Sequence, residues 1–265
     1  MFLFIMNNLN KTFNKEVIQR INLNSKNKSL LKISKDFIIN SSKAKYSYNF
    51  SALGRPIIQY PEDIVAIQEI IWKVKPDLII ETGIAHGGSL IWNASMLALL
   101  DLCETIEFKK KKASKNLSRK VLGIDVDIRK HNFDAIKKHP MSSRIQMIQG
   151  SSVDPKIIDK VKKISKKYKK ILLLLDSNHT HDHVLKELNA YAQLVSKGSY
   201  CIVYDTIVED MPKNSFPKRP WDVGNNPKTA VKTFLKTNKN FKIDKNIQNK
   251  LLITVAPDGY LQKIR

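Results

Sequence analysis

Apolar and polar positions along the 265-residue chain fall into two regimes. Residues 1–55 are rich in Lys and Asn and only weakly periodic, which predicts a helical arm or appendage rather than a domain. From Pro61 the pattern becomes regular. Ile64, Ile67, Ile70, Ile71 and Val74 recur at helical spacing behind Glu62 and Asp63, and Pro76 stops the helix. Strand-length apolar runs then alternate with helical patterns. The strands are predicted at 78–81, 121–125, 144–149, 170–176 and 200–205, and the helices at 88–102, 129–138, 155–167, 182–195 and 227–235. Between Lys170 and Asp176 the run is continuously apolar, as in a strand covered on both faces. Such alternation predicts an α/β fold, a doubly wound and mostly parallel sheet, over residues 56–265. Residues 250–255, a turn at Pro257-Asp-Gly259 and a last short strand are expected to close it as an antiparallel edge.

Composition adds little to this picture and removes some classes. Cys103 and Cys201 make neither a disulfide framework nor a zinc spacing. No apolar run approaches the roughly 18–20 residues of a membrane span, and the apolar start lacks a basic segment before it, so a cytoplasmic protein is expected. The formal charge of +22 suggests a polyanion partner. However, 39 of the 46 basic residues are Lys and 7 are Arg, whereas nucleic-acid readers favour Arg forks. The excess reads as compositional drift over solvated faces, with no nucleic-acid partner. Peripheral contact with an anionic membrane or polymer is left open, and the N-terminal arm is left as a surface for homo-oligomer assembly.

The chemistry gathers at the strand ends. Glu81-Thr-Gly-Ile-Ala-His-Gly-Gly-Ser89 runs from the first strand through a glycine turn into a helix. It has the form E-x-G-x-x-x-G-G-S, neither a dinucleotide fingerprint nor a phosphate loop, and no Lys follows the glycines. An acid beside such a turn suits a ligand with an ammonium group, and S-adenosylmethionine is the prime candidate. Four of the five strands end in an acid: Glu81, Asp125, Asp176 and Asp205. Ligands of open α/β sheets bind beyond those ends. Asp125 is placed to accept from ribose hydroxyls. Ser151 and Ser152 either meet an adenine edge or cap the next helix. Asp176 and Asp205 form an oxygen-rich pair suited to Mg²⁺. His179 is within reach as a general base or is a structural loop residue. His179, His181 and His183 are spaced too unfavourably to share one ion, and Asp182 reads as a helix N-cap.

These blocks, together with Tyr48-Asn-Phe-Ser-Ala-Leu-Gly-Arg-Pro-Ile-Ile-Gln-Tyr60, Gly150-Ser-Ser-Val-Asp-Pro155, Leu175-Asp-Ser-Asn-His-Thr-His-Asp-His-Val184, Pro220-Trp-Asp-Val-Gly-Asn-Asn-Pro227 and Asn249-Lys-Leu-Leu-Ile-Thr-Val255, resemble the cephalosporin hydroxylase family, a group related to rhamnosyl O-methyltransferases. The resemblance covers roughly residues 46–262. It implies a class I S-adenosylmethionine-dependent methyltransferase fold and Mg²⁺-assisted methylation of a sugar hydroxyl on a small-molecule or glycan substrate, such as a polysaccharide or glycolipid. By resemblance, Glu81, Gly83, Gly87, Gly88 and Ser89 would hold the methionine part of the cofactor and Asp125 its ribose, with Ser151 and Ser152 by the adenine. Asp176 and Asp205 would bind the metal and His179 would be the base. One departure is Tyr204 before Asp205, where relatives often carry a second acid or an amide. The third ligand is then Glu209, Asp210 or water. An oxidative enzyme, as the family name suggests, and a non-enzymatic polyanion binder are the rival readings.

Overall fold

The computed structural model describes residues 2–107 and 119–265. Two helices, α1 (Phe2–Asn24) and α2 (Lys28–Lys43), precede a hairpin of β1 (Phe50–Ala52) and β2 (Arg55–Ile57). Its turn, Leu53-Gly54, has both residues at positive φ, as a two-residue hairpin of this hand requires. The arm is therefore two long helices plus a hairpin. The Lys109–Lys112 run lies outside the described residues.

Helix α3 (Pro61–Val74) starts with Pro in its first turn and ends on a left-handed Lys75, one residue before the Pro76 stop. Strand β3 (Leu78–Thr82), α4 (Gly88–Glu107), β4 (Lys120–Asp125), α5 (Lys130–Lys138), β5 (Ile145–Gln149), α6 (Pro155–Ser165), β6 (Ile171–Leu175), α7 (His181–Tyr191) and β7 (Tyr200–Val203) then alternate as the periodicity predicts. Helix α8 (Pro227–Thr237), β8 (Phe241–Ile243), α9 (Lys245–Leu251) and β9 (Tyr260–Lys263) complete the chain. Helix α4 is long and apolar enough to cross a membrane, but its buried face packs in the core.

Seven strands form one sheet in the order β5-β4-β3-β6-β7-β9-β8. Strands β3 to β7 pair in parallel, whereas β9 runs antiparallel to both β7 and β8. The reversed strand is thus one in from the edge. The edge itself is the three-residue β8, not residues 250–255. Those residues instead finish α9 and continue as coil, with Thr254 Oγ1 and Val255 N donating to the buried carboxylate of Asp63 at 2.5 and 3.0 Å. Strands β3 and β6 are buried along their whole length, with apolar clusters above and below the sheet. Burying both faces of the central strands supplies the main stabilisation, at about 25 cal/mol per Å² of apolar surface.

The chain order reverses between β3 and β6, so the crevice beyond their carboxyl ends is the expected ligand site. Backbone bonds carry the ladder past the strands onto this rim. Asp176 N donates to Thr82 O (2.9 Å), Gly83 N to Ile124 O (2.8 Å) and Tyr204 N to Leu175 O (3.0 Å). The four acids of the strand ends are therefore carried on connected backbone.

Candidate active site

The glycine turn after β3 is shaped by its neighbours. Asp125 Oδ2 accepts from Ile84 N (2.7 Å) and Ala85 N (3.3 Å), while Oδ1 accepts from Asp127 N (3.0 Å). Arg55 of the hairpin donates twice to His86 O, at 3.0 and 2.7 Å, and once to Asn132 Oδ1 at 2.8 Å. Asn132 in turn donates to Ala85 O at 3.0 Å. These contacts hold Ala85 at φ +46°, a conformation that costs a non-glycine residue about 1 kcal/mol or more.

Two glycines are fixed by the approach of other backbone. A Cβ at Gly83 (φ +86°) would overlap the carbonyl oxygen of Asp176, and one at Gly88 would overlap that of Pro56. At Gly87 it would strike the Ile136 side chain. Gly83, Gly88 and Ser89 line a cavity of about 150 Å³, together with Asp125 and Asp176. Gly87 and Glu81 lie behind that wall. Glu81 is 2% exposed and accepts from Ser89 Oγ and from Asn93 Nδ2, the latter at 2.9 Å. Burial, more than the nearby Asp125, pushes its carboxyl up to about 7, against the pull of those two donors. The sequence places Glu81 and Gly87 against a ligand; the structure places Ser89 between Glu81 and the cavity, and Gly87 against α5.

A second cavity of about 370 Å³ continues from Gly83 and Asp125 to Ser151, Ser152 and His183. Neither serine caps α6. That duty falls to Asp154, whose side chain accepts from Lys156 N at 2.7 Å. Ser152 Oγ instead pairs with His183 Nε2 at 3.1 Å, and the Ser152 carbonyl accepts from Tyr191. Asp182 is likewise not a cap: Thr180 holds the N-cap position of α7, and Asp182 follows in the first turn.

A third cavity, about 360 Å³, shares Ala85, Asp176 and Ser177 with the first and is lined by His179, Asp205, Tyr204 and Trp221. Here one ligand atom each of Asp176, His179 and Asp205 lies within 4.8 Å of the others. His179 Nε2 is 3.1 Å from Asp205 Oδ2, and its ring packs edge-on against Trp221 at 4.6 Å between centroids. Burial, followed by the charges of Asp205 and Glu81, holds the Asp176 carboxyl well above the usual carboxylate range. Two facing carboxylates in such a place call for a cation. The two carboxylates fit Mg²⁺, which hard oxygens suit, whereas the His179 imidazole suits it poorly and is left for another duty. Of the three histidines only His179 joins: His181 Nδ1 pairs with Thr229 Oγ1 at 2.8 Å, and His183 with Ser152 and Ser177. The two-histidine, one-carboxylate set of non-haem iron enzymes is therefore not assembled among the described residues of this cluster.

The suggested third ligands are engaged elsewhere. Glu209 accepts from Gly224 N (2.8 Å) and Asn226 Nδ2 (2.6 Å), and Asp210 from Lys228 Nζ (2.6 Å), all bracing the 206–226 loop. Tyr204 is buried and lines the cavity beside Gln59. The sequence reading gave no cavity role to His183, Gln59 or Trp221, although all three lie in the resemblance blocks. His183 is brought there by the first turn of α7, and Gln59 and Trp221 by loop packing that periodicity does not encode.

The chain is 28% identical over 201 residues to the rhamnosyl O-methyltransferase of Mycobacterium tuberculosis strain H37Rv, covering 75% of this chain and 72% of that one. It is 25% identical over 211 residues to the rhamnosyl O-methyltransferase of Mycobacterium leprae, covering 79% and 81%. Among solved structures, CmcI in a form described as cmcI-D160 Mg-SAM shares the fold with a TM-score of 0.52 at 16% identity, over 82% of this chain and 78% of that one. The family model "Rhamnosyl O-methyltransferase/CmcI" matches residues 44–264, and the chain belongs to that family.

Proposed function

We propose that the protein is an S-adenosylmethionine-dependent, Mg²⁺-assisted O-methyltransferase acting on a sugar hydroxyl. The observation that carries this reading is the continuity of the rim. The cavity beside the glycine turn shares Asp176 and Ser177 with the cavity that holds Asp205 and His179. A cofactor site and an acid–base site thus meet at one carboxylate. The naming of the curated relatives as rhamnosyl O-methyltransferases supports the sugar acceptor.

In this reading Gly83, Gly88 and Ser89 border the methionine end of the cofactor, and Glu81 acts through Ser89 by fixing its hydroxyl. Asp125 faces the ribose. It already accepts three backbone bonds, yet a carboxylate offers about four lone-pair sites, so acceptor capacity remains. Ser151 and Ser152 border the adenine end. S-adenosylmethionine, when bound, supplies an electrophilic methyl group. Asp176 and Asp205 would hold Mg²⁺, which supplies positive charge that orients the acceptor and lowers the pKa of its hydroxyl.

His179 takes the proton of that hydroxyl. Asp205 and Trp221 fix the ring, the arrangement of a base oriented by a third group. Positioning the acceptor beside the cofactor contributes the rest of the acceleration. The oxidative alternative has no matching donor set in this cluster, and a polyanion-binding role would not need the acids of the rim. The test is mass-spectrometric detection of methylated product from S-adenosylmethionine and a panel of glycosides, with calorimetric binding of S-adenosylhomocysteine. No binding and no product would overturn the proposal.

A further inference from the structure

Arginine is scarce in this chain, with 7 residues against 39 Lys, so the place of each one is informative. Arg20, Arg119, Arg129 and Arg144 pair with carboxylates, and Arg55 donates to His86 O and Asn132 Oδ1. Arg219 does neither. Its side chain makes no hydrogen bond or ion pair among the described residues, and its guanidinium lies over the Trp221 ring, 5.2 Å from the centroid. Both residues line the cavity that holds Asp176, His179 and Asp205. Solubility alone would be served by Lys, which this chain otherwise prefers.

The loop builds this placement. Arg219 N donates to Phe216 O at 2.9 Å, Asn225 Nδ2 donates to Pro220 O at 2.9 Å, and His181 N donates to Asn225 Oδ1 at 3.0 Å, which ties the segment to α7. Asp222, the acid nearest in sequence, is occupied by Asn214 N at 3.0 Å and Val223 N at 2.8 Å. Trp221 is shared. Arg219 lies over its ring, while His179 packs edge-on against it at 4.6 Å between centroids. The guanidinium and the base therefore flank one indole, so a single monosaccharide with a hydroxyl at His179 can present another substituent to Arg219. A guanidinium stacked on an aromatic face keeps its edge donors for a planar oxyanion. The cavity is thus polarised, with acids at the strand ends and an unpaired cation on the exposed loop. A neutral acceptor would leave that cation without a partner. We propose that Arg219 is a specificity residue that reads an anionic substituent, a carboxylate or a phosphate, on the acceptor sugar. This inference rests on the methyltransferase reading and names the acceptor class within it.

The test is calorimetry of the S-adenosylhomocysteine-loaded protein with Mg²⁺ present, titrating methyl glucuronide, glucose 6-phosphate and the neutral methyl glucoside, with methyl transfer to all three measured alongside. At least one charged sugar is expected to bind about tenfold or more tightly than the neutral one, and which of them does so distinguishes carboxylate from phosphate. Arg219→Gln should abolish that preference and Arg219→Glu should reverse it, while S-adenosylhomocysteine binding changes less than about twofold. Equal behaviour of charged and neutral sugars with wild type, absence of binding by all three included, overturns the inference. A preference that survives in Arg219→Gln does so as well, and both results leave the methyltransferase reading standing. A preference lost in Arg219→Gln, in a protein that binds no S-adenosylhomocysteine and methylates none of the three, keeps the anion site and overturns the methyltransferase reading.

Discussion

His179 Nε2 lies 3.1 Å from Asp205 Oδ2, although the two residues stand on different loops, after β6 and after β7. The contact brings a titratable ring to a carboxylate that also faces Asp176, so proton transfer and cation binding share one acid. Asp205 itself adopts φ +54°, and the chain turns sharply there to aim the carboxylate at the cavity. This small cluster yields the first prediction.

Asp176→Asn removes a negative ligand, and with it the burial penalty and the repulsion that together raise the Asp176 carboxyl. Mg²⁺ affinity of the S-adenosylhomocysteine complex should fall by about tenfold or more, while the fold holds or gains stability, because a buried charge without a cation is costly. Calorimetric Mg²⁺ titration measures the first effect and thermal melting without metal the second. Equal Mg²⁺ affinity in the variant would remove Asp176 from the metal site.

Asp125→Ala deletes the acceptor of three backbone bonds and the proposed partner of the ribose. Each hydrogen bond to a charged group is worth about 1.5–3 kcal/mol. S-adenosylhomocysteine binding should weaken by about tenfold or more. Undiminished binding would mean that neither the turn nor the ribose depends on this carboxylate.

Gly83→Ala should be among the most damaging single changes. The added methyl meets the Asp176 carbonyl oxygen, and φ +86° strains any L side chain. A loss of roughly 2–4 kcal/mol is expected in urea unfolding. Gly54→Ala is the control, since its hairpin site has the same sign of φ but open space. The difference between the two variants isolates the close approach, and equal losses would contradict it.

Glu81 has a folded-state value near 7, above its ordinary 4.5. The native state therefore holds the proton more tightly. Its contribution to stability is full below about pH 4.5 and is lost as pH rises toward 7, by at most about 3 kcal/mol. Glu81→Gln removes this titration. Between pH 5 and pH 8 wild type should lose more stability than the variant in urea denaturation, and parallel pH profiles would contradict the assignment.

Much of the fold was legible because the strands of a doubly wound sheet are buried on both faces. Leu78 to Ile80 and Ile171 to Leu175 are apolar throughout for that reason. The chain end was misread for a related reason. Leu251, Leu252 and Ile253 look like a strand, but they finish a helix and a coil pinned by Asp63, and an apolar run records burial without recording its shape. Strand β8 has only three residues, too few to show a period. The acids of the site could be read from strand ends, since topology alone puts those ends on one rim. The duties of the glycines could not. Gly83 and Gly88 yield space to Asp176 and Pro56, partners distant in sequence, as Ile38 is distant from the residues with which it shares a cavity.

The most direct measurement is methyl transfer from S-adenosylmethionine to a sugar acceptor by wild type and His179→Ala, each with Mg²⁺ and with EDTA. Wild type should lose activity in EDTA and regain it with added Mg²⁺. His179→Ala should keep Mg²⁺ and S-adenosylhomocysteine binding while turnover falls by roughly 10²–10⁴. Full wild-type activity in EDTA would contradict the metal role, and full activity of His179→Ala would contradict the base.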